Sequence, residues 1–310
     1  MTSQLQIDVV EADDCLVRWL DVVNEVDRWG FPTIEELRYV RAIQPARIDL
    51  LATIDRRAVG AAFVRTPLGD ESESAIFGIW VLPHQRRQGI GAALYRELSA
   101  QTSTRRSLQV EAYEDEAAAF AFLADRHFVE VARHSEVERN VRDGELPPIA
   151  PPPGIRITTR RERPDLVEAM YQVALEAIAD LPGEELDDVG SLEEWRAWDI
   201  DRPSCDPDLC LIALHQDEVV AYAILMRARS GIAAHGLTGV KRAFRGRGIA
   251  AALKRAQLHA AKAAGFDRVA TENIETNAAI RHLNEKLGYR PVPGAIVFNG
   301  PVAPSSIGRH

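Results

Sequence analysis

The chain has 310 residues, a formal net charge of −9, 46% hydrophobic residues and 27% charged residues. This length suits two domains of average size, and no apolar run is long enough to span a bilayer. The acidic balance disfavours nucleic acid and membrane surfaces as partners, because both attract positively charged proteins. The N-terminus lacks a secretion signal and the three cysteines are scattered, so we expect a cytoplasmic protein.

The first half alternates strand and helix patterns. We expect a strand at about Leu5–Val10, helices near Asp13–Val26 and Ile34–Ile43, and two strands joined by a turn at Asp55–Arg57. The strand AIFGIWVL then leads into a loop rich in arginine and glycine and a helix over about Gly89–Gln101. A strand, an alanine-rich helix and the strand FVEVARHSEVE follow.

The second half repeats this order after a proline-rich segment. Gly144–Arg156 holds five prolines and two glycines, so it is typical of a semi-rigid linker. Helices are then expected around Leu166–Ala179 and Leu192–Trp198, followed by strands, a second loop and a helix ending at Ala264. A strand, a helix over Asn277–Leu287 and a last strand complete the copy.

This order predicts two similar domains. We place an N-terminal domain at 1–143, a linker at 144–154 and a C-terminal domain at 155–310. Each domain is expected to be α/β, with a mixed, mostly antiparallel sheet flanked by helices.

Two loops repeat the same pattern 159 residues apart (248 minus 89). Val81–Leu94 and Val240–Leu253 share seven of fourteen residues, where about one match is expected by chance. A glycine turn that opens a helix leaves the first N–H groups unpaired at the positive end of the helix dipole. Such a turn binds an anion, and neighbouring arginines add charge-assisted hydrogen bonds, so we expect a pyrophosphate here.

Three phosphate-binding motifs compete for these loops. A P-loop needs Lys-Ser/Thr after its last glycine, which neither copy has. GRGIAA fits the dinucleotide pattern G-x-G-x-x-A, but Lys241–Arg245 separate it from the strand, and Asp267 precedes the next strand instead of ending it. A merely solvated cationic loop is an alternative that repetition in register disfavours. Both copies satisfy [Q/R]-x-x-G-x-[G/A], with Arg86, Gly89 and Gly91 in the first and Arg245, Gly248 and Ala250 in the second.

With this pattern twice in one element order, the chain resembles two-domain members of the GNAT superfamily of acetyl-CoA-dependent N-acetyltransferases over nearly its whole length. The resemblance implies acetyl-CoA as cosubstrate. We expect no metal cofactor, because no cluster of cysteines or histidines has the spacing of a metal site. The residues it assigns to the cosubstrate are Val81, Arg86, Arg87, Gly89, Ile90, Gly91, Thr238, Val240, Arg245, Gly246, Arg247, Gly248, Ile249, Ala250 and Asn277. The first half departs from the family pattern, with Glu116 in the place of Asn277.

The catalytic groups are harder to assign. Many relatives carry a tyrosine acid in the last helix, where this chain has Asn284 and, in the first half, Leu123. For a base the second half offers His235 before the loop and Glu272 at the end of the next strand, and Asn273 is the alternative polar group. A packed histidine and an exposed strand-end carboxylate are the structural alternatives for the first two.

The resemblance implies transfer of an acetyl group from acetyl-CoA to the amine of a small molecule, by direct attack in a ternary complex. We expect this in the C-terminal half, with an N-terminal half that binds the cosubstrate without turnover or is structural. The acidic segment Asp180–Cys205 favours a cationic acceptor, and a monomer is expected. Another acyl donor, a hydroxyl acceptor, and an acyl-CoA sensor without turnover stay open as alternatives.

Overall fold

The computed structural model divides the chain into two compact units. Met1–Arg133 with Ala295–His310 form the first unit, and His134–Gly294 form the second. The chain leaves one unit and enters the other within two of its strands, between Arg133 and His134 and between Gly294 and Ala295. The structure describes residues 4–44, 46–66, 74–102, 105–180, 190–229, 231–274 and 278–303.

The first half of the chain contains strands and helices in the predicted order. They are β1 Leu5–Val9, α1 Asp13–Val26, α2 Ile34–Ile43, β2 Ile48–Ile54, β3 Arg57–Arg65, β4 Ser74–Val81, α3 Ile90–Gln101, β5 Ser107–Tyr113, α4 Ala117–Ala124 and β6 Val129–Asn140.

The second half repeats this order. It contains β7 Ile155–Thr159, α5 Val167–Ile178, α6 Leu192–Trp195, β8 Leu211–His215, β9 Glu218–Arg227, β10 Ile232–Val240, α7 Ile249–Ala263, β11 Arg268–Ile274, α8 Ala278–Lys286 and β12 Arg290–Pro301. Among the described residues no helix is long and apolar enough to cross a membrane.

The first unit has the strand order β1-β2-β3-β4-β5-β12. Its neighbours are antiparallel except β4 and β5, which pair in parallel over Ser74–Ile76 and Ser107–Gln109. Helix α3 covers one face with Leu94 and Leu98, and α1 covers the other with Trp19. The sheet is therefore mixed and lies between two helical layers, as predicted.

The second unit has the strand order β7-β8-β9-β10-β11-β6, which matches the first unit strand for strand. Here β10 and β11 are the parallel pair, over Ile232–Ala234 and Arg268–Ala270. Helix α5 packs on one face and α7 on the other, in two separate hydrophobic clusters.

The two units exchange their last strands. Residues 134–140 of β6 pair with β11 of the second unit, and residues 295–301 of β12 pair with β5 of the first. The compact units therefore differ from the division into 1–143, 144–154 and 155–310, which assigns each last strand to its own half. The local pattern predicts a strand but does not contain the identity of its pairing partner.

Candidate functional site

The two repeated loops have the same backbone geometry. Gly89 and Gly248, the residues before α3 and α7, have φ angles of 82° and 83°. Two residues earlier, Arg87 and Gly246 have φ angles of 64° and 73°. Left-handed backbone is easiest for glycine, so the glycines are required by the shape of the turn. The second loop satisfies this need twice and the first loop only once.

Both helices that follow the loops begin without a side-chain cap. In the described part of the chain, no side chain caps α3 at Gly89 or α7 at Gly248, so the first N–H groups of both helices have no side-chain acceptor there. Among the described residues, a Cβ built on Gly89 meets no atom within 4 Å, and one on Gly248 meets only Pro152 Cγ, at 3.9 Å. The helix ends are open to an anion, as a pyrophosphate site requires.

The remaining predicted cosubstrate residues surround these openings. Ile90 and Gly91 form the first turn of α3, as Ile249 and Ala250 do in α7. The guanidinium of Arg247 stacks on Phe244, 4.9 Å from the ring centroid. Val81, Thr238 and Val240 lie on β4 and β10 beyond the parallel pairs. Asn277 and the side chain of Asn273 lie outside the described residues.

The carboxylate of Asp180 forms ion pairs with two arginines of the second loop, Arg242 and Arg245. Asp180 accepts hydrogen bonds from Nε and Nη2 of Arg242 at 2.7 and 2.8 Å, and from Nη1 of Arg245 at 2.7 Å. These hydrogen bonds lower the pKa of Asp180 to about 2. Arg86 and Arg245 make the same backbone contact, through Nε to the carbonyls of Val81 and Val240. In the described part of the first unit, no carboxylate lies within ion-pair distance of Arg86.

Strand β10 contains a bulge that β4 lacks. Its register with β9 shifts by one residue between His235 and Thr238, whereas β4 pairs with β3 without interruption from Ile76 to Val81. The bulge begins one residue after Ala234, where the parallel pairing with β11 ends. A bulge leaves an extra residue outside the ladder, so β10 can direct backbone groups into the opening beside β11.

The structure places His235 and Glu272 on opposite faces of the second sheet. Ala234 and Ala270 are partners in the parallel pair, so they share a face. Because side chains alternate along a strand, Glu272 lies on that face and His235 on the other. Met226, the β9 partner of Ala234, belongs to the cluster that packs on α5. Glu272 therefore lies on the α5 face, away from His235.

Glu272 meets two residues that the sequence analysis missed. Its side chain is 48% exposed, and Oε1 contacts Nδ1 of His134. Glu136, which is 2% exposed, lies directly across from Glu272 in the ladder. His134 and Glu136 belong to β6, which the sequence pattern assigns to the first domain. Strand exchange brings them to the second unit, and no local signal reveals this.

The α7 face of the second unit carries a buried polar cluster around His235. Its Nε2 lies 2.6 Å from the hydroxyl of Tyr289, and Lys254 Nζ lies 5.6 Å from the Tyr289 ring centroid. Lys254, Gln257 and Asn284 are each at most 1% exposed. Among the described residues no carboxylate lies within ion-pair distance of Lys254. We call His235, Lys254, Gln257, Asn284 and Tyr289 the polar cluster.

Burial controls the protonation of this cluster. Burial, together with the nearby Lys254 charge, holds the pKa of His235 well below its usual range. Burial lowers the pKa of Lys254 from its ordinary 10.5 to about 7. The pKa of Tyr289 is raised by burial, against the opposing charge of Arg139. Near neutral pH the imidazole and the phenol are neutral, and the amine is close to half protonated.

The matching positions of the first unit are mostly apolar. Aligning the halves on their loops matches Ile76 with His235, Tyr95 with Lys254 and Leu98 with Gln257. Aligning the ends of α4 and α8 adds Leu123 with Asn284 and Phe128 with Tyr289. Tyr95, Leu98, Leu123 and Phe128 all belong to the hydrophobic core of the first unit.

Trp80 lies on the face of the first sheet that α1 covers, and the matching residue of the second unit is Gly239, on the α5 face. The indole therefore fills space at a position that has no side chain in the second unit. The indole stacks on Phe63 at 5.7 Å and donates from Nε1 to Asp27 at 2.7 Å. A Cβ on Gly78 would lie 2.7 Å from both Phe63 and Trp80, so these rings cover the strand where β4 has left β5. The first unit is therefore closed by aromatic rings at the place where the second unit has its bulge.

Comparison with known proteins agrees with this geometry. The family model described as the acetyltransferase (GNAT) family matches residues 16–128 and 170–289, which is more than half of the chain. The chain therefore belongs to the GNAT family of acetyltransferases and contains two copies of its fold. This family transfers acyl groups from an acyl-CoA. No curated protein matches the chain.

Solved structures show the same fold over the whole length. A tandem GNAT protein from the clavulanic acid biosynthesis pathway has a TM-score of 0.75 at 19% identity, covering 98% of this chain and 100% of its own. A GCN5-related N-acetyltransferase from Sphaerobacter thermophilus has a TM-score of 0.68 at 19% identity, with coverages of 97% and 96%. A GNAT acetyltransferase from Colwellia psychrerythraea has a TM-score of 0.63 at 15% identity, covering 96% of this chain and 99% of its own.

In the described part of the chain, no group of three or more histidine, cysteine, aspartate or glutamate side chains is placed to hold a metal ion.

Proposed function

We propose that the second unit transfers an acetyl group from acetyl-CoA to the amine of a small molecule, by direct attack in a ternary complex. The observation that carries this proposal is the bulge of β10, which begins where β10 leaves β11. The first unit lacks the bulge, although its loop has the same turn. Only the second unit combines an anion site with an opening suited to a reacting group.

The residues of the second loop fit a pyrophosphate. The N-terminus of α7 is uncapped, Gly246 and Gly248 provide the left-handed turn, and the open space at Gly248 lets phosphate oxygens approach the backbone. Arg245 and Arg247 supply positive charge beside it. The arm of the cosubstrate would then follow β10 past Val240 and Thr238 towards the bulge.

The transfer needs a group that polarises the thioester carbonyl. Backbone N–H groups perform this role without any particular side chain, provided that they point at the developing oxyanion. A bulge frees the local backbone from the ladder, and this one lies in the opening between β10 and β11. We assign the oxyanion contact to the bulge at residues 236–237.

Glu272 is the base that suits the acceptor. It is half exposed, lies on the α5 face, and touches His134, which can share its charge. The buried Glu136 beside it adds negative charge, which favours an ammonium group near Glu272. His235 does not suit this role, because it lies half-buried on the opposite face and is already hydrogen-bonded to Tyr289. Asn273 remains a candidate for orienting the acceptor.

The first unit has features that oppose turnover. Trp80 and Phe63 cover β4, and Glu116 replaces the asparagine that the family places near the cosubstrate. Burial, with Asp27 nearby, raises the pKa of Glu116, while Arg86 opposes this shift. We propose that the first unit binds the cosubstrate without turnover or serves only as structure.

Calorimetric titration with acetyl-CoA tests both loops. The indole of Gly248→Trp or Gly89→Trp would enter the open space at its helix N-terminus and block the anion site. We expect Gly248→Trp to abolish turnover and one binding event, and Gly89→Trp to leave turnover intact. The opposite pattern overturns the assignment to the second unit. Circular dichroism of each variant shows that the loss is not unfolding.

An acceptor screen tests the reaction itself. Thiol release from acetyl-CoA with a panel of small cationic amines supports N-acetyl transfer. Thiol release only with longer acyl-CoA donors would replace acetyl-CoA as the proposed donor. Thiol release only with alcohols would replace the amine as the proposed acceptor. Binding at both loops without thiol release would favour an acyl-CoA sensor. We also propose that the protein is a monomer, which sedimentation tests.

A further inference from the structure

We propose that the polar cluster is the proton source for the departing thiolate, with Lys254 as the catalytic residue that gives the proton. His235 and Tyr289 are positioning residues that keep Lys254 in place. This inference rests on the proposed function, because it concerns the same transfer. It answers why Asn284 stands where many relatives carry a tyrosine acid.

The first unit shows that the fold does not need a polar cluster. At the five matching positions it has Ile76, Tyr95, Leu98, Leu123 and Phe128, and its tyrosine donates to a backbone carbonyl, Pro301 O, at 2.6 Å. Burying polar groups costs stability even where partial hydrogen bonding compensates. Two copies of one fold thus differ at the same buried sites, and only the copy with the open bulge carries the costly side chains.

The cluster lies along the expected route of the cosubstrate. Thr238 and Val240 come before His235 on that route, and Val240 packs in one cluster with Leu253 of α7. Lys254 is six residues beyond Gly248, roughly 9 Å along the helix axis from the pyrophosphate site. The buried Oγ1 of Thr238 has no hydrogen-bond partner among the described residues, so this route offers a polar atom to an amide of the arm.

Lysine is suited to this role in a way that arginine is not. The chain has four lysines, and Lys254 is the buried one among the side chains that the structure describes. An arginine side chain keeps its proton in proteins, whereas a buried lysine can release one near neutral pH. A proton donor works best when its pKa lies near the working pH. Burial without a carboxylate partner gives Lys254 this property.

The transfer breaks the thioester C–S bond, forms a C–N bond and moves two protons. The neutral amine of the acceptor attacks the thioester carbon, a C–N bond forms, and the C–S bond breaks with its electron pair remaining on sulfur. Glu272 takes the proton lost by the attacking nitrogen, and the Lys254 ammonium gives one proton to sulfur. The products are the amide and the free thiol. Glu272 and Lys254 then return to their starting states by proton exchange with water.

Among the described residues, four titratable or charged groups face this site from the elements that surround it. Lys254 comes from α7, His235 from β10, Tyr289 from the segment before β12, and Arg139 from β6. His235 and Tyr289 stay neutral across the physiological range, and an arginine keeps its proton in proteins. A rate dependence near pH 7 on this side of the sheet therefore reports Lys254.

NMR titration of ¹³C-labelled lysine tests the proposal without turnover. Four lysines give few signals, and Lys254→Met identifies its own, with Lys262→Met as the exposed control on the same helix. Bound CoA that has been oxidised to its sulfonate carries a permanent negative charge at the sulfur position and should raise the Lys254 titration midpoint by about one pH unit, because a nearby anion favours the charged amine. Bound desulfo-CoA, which lacks the sulfur, should not. Equal midpoints with both ligands overturn the proposal.

Kinetics provides the second readout. The wild-type rate should fall as pH rises through about 7, where Lys254 loses its proton. Lys254→Met should lose about 10²–10⁴-fold in kcat, the usual contribution of a general acid, and also lose this alkaline fall. Lys262→Met should keep both. An unchanged profile in a folded Lys254→Met or Lys254→Gln variant contradicts the inference.

The two failures are distinguishable. Absence of thiol release by the wild-type protein with every acceptor removes the proposed function. Turnover that does not respond to Lys254 removes only this inference.

Discussion

The two units are copies of one fold, and they differ where chemistry would take place. Both keep the left-handed glycine before the loop helix and both stop their parallel pairing after three residues. The second unit adds a bulge, a polar cluster on one face and an exposed carboxylate on the other. The first unit has a regular strand, an apolar core and aromatic rings at the matching places. Duplication has preserved the framework, and the interior of each opening has diverged.

This difference separates what the fold requires of both units from what only one unit contains. An uncapped helix with a glycine turn is part of the fold itself, so it persists in both units. Buried polar groups are costly, and the first unit has side chains that stabilise a core at the matching positions. The following experiments test whether the contrast between the units is functional.

The largest effect is expected from Glu272→Gln. Loss of the base should lower kcat by about 10²–10⁴-fold and leave acetyl-CoA affinity within about twofold. Glu111→Gln, an exposed carboxylate on β5 of the first unit, is the control and should behave like wild type. Steady-state kinetics with the best acceptor measures both. A rate within threefold of wild type for Glu272→Gln would assign the base elsewhere.

Trp80→Gly tests whether the aromatic closure stabilises the first unit. The change removes the stacking on Phe63, the edge contact with Trp19 and the hydrogen bond to Asp27. We expect the free energy of unfolding to fall by about 3–5 kcal/mol. Urea denaturation measures it, with Gly239→Ala as the matched change in the second unit. A loss below about 1 kcal/mol would show that the rings fill space without stabilising it.

Lys254→Met should stabilise the protein near pH 7. A pKa lowered from 10.5 to about 7 means that the folded state disfavours the charged amine, at a cost of about 4 kcal/mol near pH 7. The unfolded chain binds more protons between these values, so wild-type stability rises with pH through this range and the cost disappears above about 10.5. The stabilising effect of the substitution should shrink in the same way.

Denaturant unfolding at several pH values checks this stability difference. Lys262→Met is the exposed control and should show no such trend. A pH-independent difference for Lys254→Met would mean that the folded protein does not hold the amine neutral.

Asp180→Asn should have the smallest effect. Removing the carboxylate breaks its ion pairs with Arg242 and Arg245 and raises the positive potential at the second loop. We expect acetyl-CoA to bind about 2–5-fold more tightly at low salt, in line with the modest energies of exposed ion pairs. The pKa of Asp180 is about 2, so the difference should not change between pH 5 and 8. Calorimetry measures it, and weaker binding would show that Asp180 orders the loop.

Much of this molecule was readable in its sequence. Apolar and alternating runs predicted the element order. The repeated Arg-x-x-Gly pattern identified both loops and the family, because a glycine turn before a helix is a local requirement. The expected base Glu272 and the departure at Asn284 were also local observations. These local observations identified candidate residues but did not show which of them contact each other.

Three properties were decided only by the tertiary structure. Strand exchange brought His134 and Glu136 beside Glu272, because strand pairing depends on distant residues. The register of β10 with β11 placed His235 and Glu272 on opposite faces, since one residue along a strand reverses the side. The burial of Lys254 arose from helices and strands packing around it. The sequence by itself determined what each segment can form, and the packed fold decided which side chains share a site.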